Sequence, residues 1–286
     1  MSAGTSRKTN KIDEVFSVIK GKRKKNLIVY ITAGYPDIRS TEKLVLEIDR
    51  AGADIIELGV PFSDPVADGP TIQESSQHAL AAHVTLAGVF KLASRVRTKI
   101  SAALVLMGYY NTILQYGLNK FAEDCAKNGI DGVIVPDLIP EEGGKLLKAS
   151  GAQGIKVIFF LAPTSDDSRI RLVSKLSQGF IYCVTVAGIT GARSALPDLN
   201  KYVNRIRRFT DKPLALGFGI STPGMLAKVL KHADAAIVGS AVIKVIKANI
   251  KKQNLPGIVG AFISRLRRGV PGERKTEKNG YHAQKN

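Results

Sequence analysis

The chain has 286 residues, 44% of them apolar and 23% charged, so it can bury one large core at a length typical of a single barrel domain. Its net charge of +18 lies mostly at the ends, with +6 in residues 1–26, +9 in 244–286 and only +3 in 27–243. A nearly neutral body with aromatic-poor basic ends points away from nucleic-acid binding and towards solvated termini. No run reaches the roughly 18 apolar residues of a membrane span. The opening MSAGTSRKTNKIDEVF has acids at Asp13 and Glu14 and no apolar h-region, so neither a secretory signal nor an acid-poor transit peptide fits. A cytoplasmic location is expected, with a plastid stroma left open.

In chain order, short apolar runs alternate with segments of helical period. The runs are LIVYITA (27–33), ADIIELG (53–59), AALVLM (102–107), GVIVPD (132–137), KVIFFLA (156–162), FIYCVTV (180–186), PLALGF (213–218) and AAIVGS (235–240). Between them, helices are predicted over 40–51, with Leu44, Val45, Ile48 and Ala51 on one face, and over 223–232, opening with Pro223 behind Ser221 and Thr222. Eight strand-helix units predict an α/β chain folded as a (β/α)₈ TIM barrel. Residues 1–268 would form one catalytic barrel domain with an N-terminal helix, and 269–286 a basic tail. A doubly wound open sheet is the alternative, but LIVYITAGYPD carries a single glycine where that fold places a Gly-rich fingerprint. Cys125 and Cys183 fall in apolar patterns without metal spacing and read as buried thiols. The four histidines lie away from the strand ends, and no metal site is predicted.

Barrel enzymes assemble their chemistry at the C-terminal ends of the strands. There the sequence places ELGVPFSDPVADGPTIQ (57–73), Pro136 and Asp137, AGITGA after strand six, GFGIS after strand seven and GS after strand eight. Glu57 sits among Ile55, Ile56, Leu58 and Val60, surroundings that raise a carboxyl pKa, whereas Asp68 between Ala67 and Gly69 can stay ionised. Two readings of the pair stand at this point: acid and base of a reaction, or a rim ion pair and a turn. Glycine clusters after strands six to eight suit a phosphate held on backbone amides, although they would also serve tight turns. Tyr109 and Tyr182 read as packing residues with satisfied hydroxyls. No GxxxxGK[ST], GxGxxG or GxSxG motif occurs, which argues against ATP, dinucleotide and serine-hydrolase chemistry.

Over about residues 10–265, ELGVPFSDPVADGPTIQ together with ITAGYP (31–36), YYN (109–111), GVIVPDLIPEE (132–142), VAGITGAR (186–193), GFGIS (217–221) and GSAVIK (239–244) resembles the tryptophan synthase alpha subunit family. The resemblance implies a lyase that splits indole-3-glycerol phosphate into indole and glyceraldehyde 3-phosphate, with Glu57 and Asp68 as the catalytic carboxylates. It places the phosphate at Gly191, Gly217, Phe218, Gly219, Gly239 and Ser240, and the indole pocket at Tyr30, Leu106, Tyr182 and Thr190. It implies no cofactor in this chain. The expected partner is a pyridoxal-phosphate beta subunit in an alpha2beta2 complex, met by Ser63, Asp64, Pro65 and Asn111, and free alpha subunits of the family are poor catalysts. A stand-alone lyase releasing free indole is the alternative. A non-catalytic activating subunit is disfavoured by the presence of both carboxylates.

Overall fold

The computed structural model describes residues 9–19, 22–185, 198–217 and 219–271. Every residue of β1 (Asn26–Thr32) and of β2 (Ile55–Gly59) is buried. Burial on both faces is what a parallel sheet covered by crossover helices demands. The sheet continues through β3 (Ala103–Met107), β4 (Gly132–Ile134), β5, β6 (Ile181–Val184), β7 (Leu214–Gly217) and β8 (Ala235–Val238). Strand β5 comes in two pieces, Lys156–Ile158 and Phe160–Leu161. All pairings in this sheet are parallel, and β8 pairs with β1. The first piece of β5 pairs with β4 and the second with β6, so the sheet closes across Phe159. The result is the expected (β/α)₈ barrel, with nine hydrogen-bonded pieces making eight strands among the described residues.

The helices are α1 (Lys11–Val15), α2 (Ile38–Arg50), α3 (Pro70–Ala81), α4 (Leu86–Arg97), α5 (Tyr110–Tyr116), α6 (Leu118–Lys127), α7 (Gly144–Ala152), α8 (Asp167–Leu176), α9 (Leu199–Arg207), α10 (Pro223–Leu230), α11 (Ser240–Ala248) and α12 (Leu255–Arg267). α2 starts two residues earlier than its periodicity suggests, because Asp37 caps it by accepting from the Ser40 amide at 2.8 Å. α10 starts where predicted, behind Thr222, and ends at Leu230. Among the described residues no single helix is long and apolar enough to cross a membrane. Both cysteines are buried and free.

Strand alternation divides the core in two. Ile28, Ile55, Ala103, Val105, Ile134, Ile158, Ala215 and Ala235 fill the barrel, joined by Ile12 and Phe16 from around α1, which closes the N-terminal end. Their neighbours Leu27, Ile56, Leu58, Leu104 and Leu106 pack outwards against the helices. At the N-terminal end one device recurs on alternate strands. Asp54 accepts the Leu27 amide at 2.8 Å, Asp131 the Leu104 amide at 2.8 Å and Asp234 the Leu214 amide at 2.9 Å. Each of these carboxylates also pairs with an arginine at the end of a helix, respectively Arg267, Arg97 and Arg207. Before β6 the same position is held by Gln178, which accepts from Val157 at 3.0 Å.

Candidate active site

A cavity of about 770 Å³ opens at the C-terminal ends of the strands, within the size range of small-molecule sites. The loop 66–70 and the start of α3 form one wall, and Gly217, Gly219, Gly239 and Ser240 form another. Met107, Pro136, Phe160 and Ile237 add apolar surface, with Tyr30 and Tyr182 among them.

Glu57 lies in the middle of β2, opposite Tyr30 of β1 and Val105 of β3 in register. It is fully buried, and neither carboxyl oxygen has a hydrogen-bond partner among the described residues. Burial, followed by the charge of Asp68, raises its pKa to about 8. Near neutrality Glu57 therefore holds a proton, because ionising there would bury a charge with no donor among the described residues. It does not line the cavity as the chain stands; it lies in the layer of Tyr30 and Val105.

Asp68 lies on the cavity wall, with a pKa raised to about 6 by burial and held back by a hydrogen bond from Tyr109. The loop that carries it is braced from several sides. The Asp68 amide bonds to the Pro65 carbonyl at 3.0 Å, and Gln73 of α3 donates to the Asp68 carbonyl at 2.9 Å. Gln77 reaches back to the Ser63 carbonyl at 3.1 Å. The Tyr109 hydroxyl accepts from the Ala67 amide at 3.0 Å and donates to Asp68 Oδ2 at 3.1 Å. Tyr109 is thus more than the packing residue its sequence context suggested. Gln73 was also missed, although its place inside the 57–73 motif, one helical turn after Gly69, is the signal that could have found it.

Two rim glycines make room for rings. A Cβ on Gly59 would lie 2.1 Å from the Tyr30 hydroxyl, and one on Gly217 would lie 3.3 Å from Tyr182 Cε1. Tyr182 also packs against Phe160, with ring centroids 4.6 Å apart. Burial first, and then the nearby acids, keep both tyrosine hydroxyls protonated. Tyr30 is within 3.4 Å of Thr32, which bonds Ser75 of α3 at 2.6 Å, so strand β1 and the helix behind Asp68 are tied together.

The predicted phosphate residues Gly217, Gly219, Gly239 and Ser240 meet on one wall, where α11 begins at Ser240. The first amides of a helix lack internal acceptors, and its dipole favours an anion. Gly191, Phe218 and Thr190 lie outside the described residues. Tyr30 and Tyr182 line the cavity, but Leu106 does not. It pairs with Leu58 and packs outwards with Val60, Leu86, Phe121 and Val133. Met107, one residue on, takes the inward place. Ser63, Asp64 and Asn111 are exposed and Pro65 is buried. Three exposed large apolar residues follow consecutive strands on this same end: Val66 (79% exposed), Leu114 (51%) and Ile139 (47%). Among the described residues no group of three or more His, Cys, Asp or Glu is arranged to hold a metal.

The model of one family, the tryptophan synthase alpha chain, matches residues 16–258. The tryptophan synthase alpha chain of Geobacter sp. (strain M21) is 47% identical over 262 residues, covering 91% of this chain and 98% of that one. That of Thermoanaerobacter sp. (strain X514) is 44% identical over 259 residues, covering 90% and 98%. Among solved structures, tryptophan synthase subunit alpha from Legionella pneumophila str. Paris superposes with a TM-score of 0.85 at 36% identity, covering 92% of this chain and 98% of that one. A chain of tryptophan synthase from M. tuberculosis, in an open form with BRD0059 bound, gives 0.81 at 31% identity, covering 92% and 99%.

Proposed function

Since the chain belongs to the tryptophan synthase alpha chain family, we propose that it cleaves indole-3-glycerol phosphate to indole and glyceraldehyde 3-phosphate. The observation that carries the reading is the pair of carboxyl groups in unlike surroundings: protonated, buried Glu57 and the more acidic, wall-borne Asp68. Opposite them, the N-terminus of α11 and the glycines beside it offer amides to a phosphate.

In the proposed reaction Glu57 gives its proton to indole C3, and the positive charge that develops spreads to the ring nitrogen. Asp68, ionised, accepts the indole N–H and stabilises that charge. The Glu57 carboxylate then takes the proton of the hydroxyl on the carbon attached to C3. The oxygen electrons form the aldehyde, the C3–C bond breaks, and its electron pair restores the C2–C3 double bond and the neutral ring. Glu57 ends protonated, as it began, and no cofactor is consumed. For these transfers the Glu57 side chain must turn from its buried position into the cavity, a conformational step of the kind that often limits turnover.

The partner in this reading is a pyridoxal-phosphate beta subunit in an alpha2beta2 complex that receives indole. Val66, Leu114 and Ile139 support it, because exposed apolar residues gathered at one end of a barrel suit a protein interface. No observation favours the stand-alone lyase. The test is indole release from indole-3-glycerol phosphate by the purified chain, alone and with a tryptophan synthase beta subunit. Slow release that the beta subunit strongly stimulates is the expected result. Fast release alone would replace the complex with the stand-alone enzyme, and no release in either mixture would overturn the reading.

A further inference from the structure

We propose that Tyr109 is a positioning residue for Asp68: its hydroxyl, clamped between the Ala67 amide and one carboxylate oxygen, fixes where Asp68 points and keeps it ready to receive an N–H. This inference rests on the proposed role of Asp68.

The argument starts from one proton. A tyrosine hydroxyl that accepts from a backbone N–H has its own hydrogen free to donate elsewhere. Here the Ala67 amide donates to Tyr109 at 3.0 Å, so the hydroxyl hydrogen is directed at Asp68 Oδ2, 3.1 Å away. An ionised carboxylate is the natural acceptor for that hydrogen. Among the described residues Oδ1 takes no hydrogen bond, which leaves it for a donor in the cavity.

The clamp is itself immobilised. Tyr109 is 3% exposed, and its ring stacks on Phe62 with centroids 4.9 Å apart and planes 18° from parallel. It directly precedes α5, whose first amide, at Tyr110, is held by Asp137 Oδ1 at 2.9 Å. Tyr109 is therefore fixed from the end of β4 and from the loop after β2 together. Both supports lead to the exposed end of the barrel: Phe62 adjoins Ser63 to Pro65, and α5 carries Asn111 and exposed Leu114. A partner resting on either segment would press on the same hydroxyl, which gives docking a short physical route to the loop-borne carboxylate.

The titratable groups that face Asp68 are Tyr109, Glu57 of β2, Tyr30 of β1 and Tyr182 of β6, and Asp137 faces Tyr109 in turn. Of these, Tyr109 is the donor to the carboxylate. Its removal should make Asp68 harder to ionise.

The test compares kcat/KM against pH for the wild-type chain with its beta subunit, for Tyr109→Phe and for Phe62→Leu. Tyr109→Phe keeps the stacked ring and loses only the hydroxyl. Its ascending limb should move up by about one pH unit, giving a loss of about fivefold near pH 6 that approaches tenfold at lower pH and shrinks towards wild type above pH 8. The phosphate of the substrate titrates equally for all three enzymes, so a difference between limbs belongs to the protein. Phe62→Leu loosens the ring but keeps the hydroxyl, and its limb should stay where the wild-type limb is. An unmoved limb in Tyr109→Phe, a loss equal at every pH, or an equal move in Phe62→Leu would each overturn the proposal. Asp68 can also be titrated by carbon-13 carboxyl NMR without substrate, assigned with Asp68→Asn. A higher Asp68 pKa in Tyr109→Phe supports the clamp even if the wild type cleaves nothing, and an unchanged one overturns it even if cleavage is fast.

Discussion

The two ends of this barrel treat carboxyl groups in opposite ways. At the N-terminal end Asp54, Asp131 and Asp234 each receive a strand amide and an arginine. Burial still raises the pKa of Asp131, but the Leu104 amide and Arg97 oppose that rise. At the C-terminal end Glu57 has no such compensation among the described residues. Compensated carboxylates hold strands in register, and an uncompensated one retains a proton that chemistry can use. The same chemical group thus serves stability at one end and reaction at the other, as the barrel architecture predicts.

The sharpest way to break this comparison is to exchange side chains at both ends. Glu57→Gln removes the proton carrier with almost no change of shape, and indole release should fall by about 10²- to 10⁴-fold, read by steady-state kinetics. Asp131→Ala should leave kcat at a permissive temperature close to wild type while costing about 2 kcal/mol of unfolding free energy in a urea titration, since it removes the acceptor of the Leu104 amide and the charge partner of Arg97. A large loss of turnover from a well-folded Asp131→Ala would erase the distinction between the ends.

A smaller effect sharpens it. The folded-state pKa of Glu57, about 8, lies above its ordinary value of 4.5, so folding favours the protonated form. That contribution is complete at low pH and is lost as pH rises through the folded pKa. Glutamine does not titrate. The melting temperature of Glu57→Gln minus that of wild type should therefore increase between pH 5 and pH 8 in differential scanning calorimetry. A constant difference would mean that Glu57 is not held neutral by the fold.

Much of this was legible in the sequence, for reasons that particular residues make plain. The eight runs marked the strands because parallel strands buried on both faces are continuously apolar. That same continuity hid their phase. In AALVLM either Leu106 or Met107 could face inwards, and only the register of Val105 with Glu57 decides for Met107. Glu57 stood out as an acid flanked by Ile55, Ile56, Leu58 and Val60. Tyr109 did not, because the use of its hydroxyl depends on the path of a loop forty residues earlier, which periodicity does not report. The rim glycines pointed to turns or phosphate, while the rings that Gly59 and Gly217 admit became visible only across strands. Strand β5 is interrupted at Phe159, where the barrel closes, within a run that reads as unbroken.

The most direct test of the account is the pH dependence of kcat/KM for indole-3-glycerol phosphate cleavage by the wild-type chain. The pair of carboxyl groups predicts a bell that rises near pH 6, where Asp68 ionises and the substrate phosphate also titrates, and falls near pH 8, where Glu57 loses its proton. A rate constant that continues to climb through pH 9 would contradict the account, because the ionised form of Glu57 would then be the one that starts the reaction.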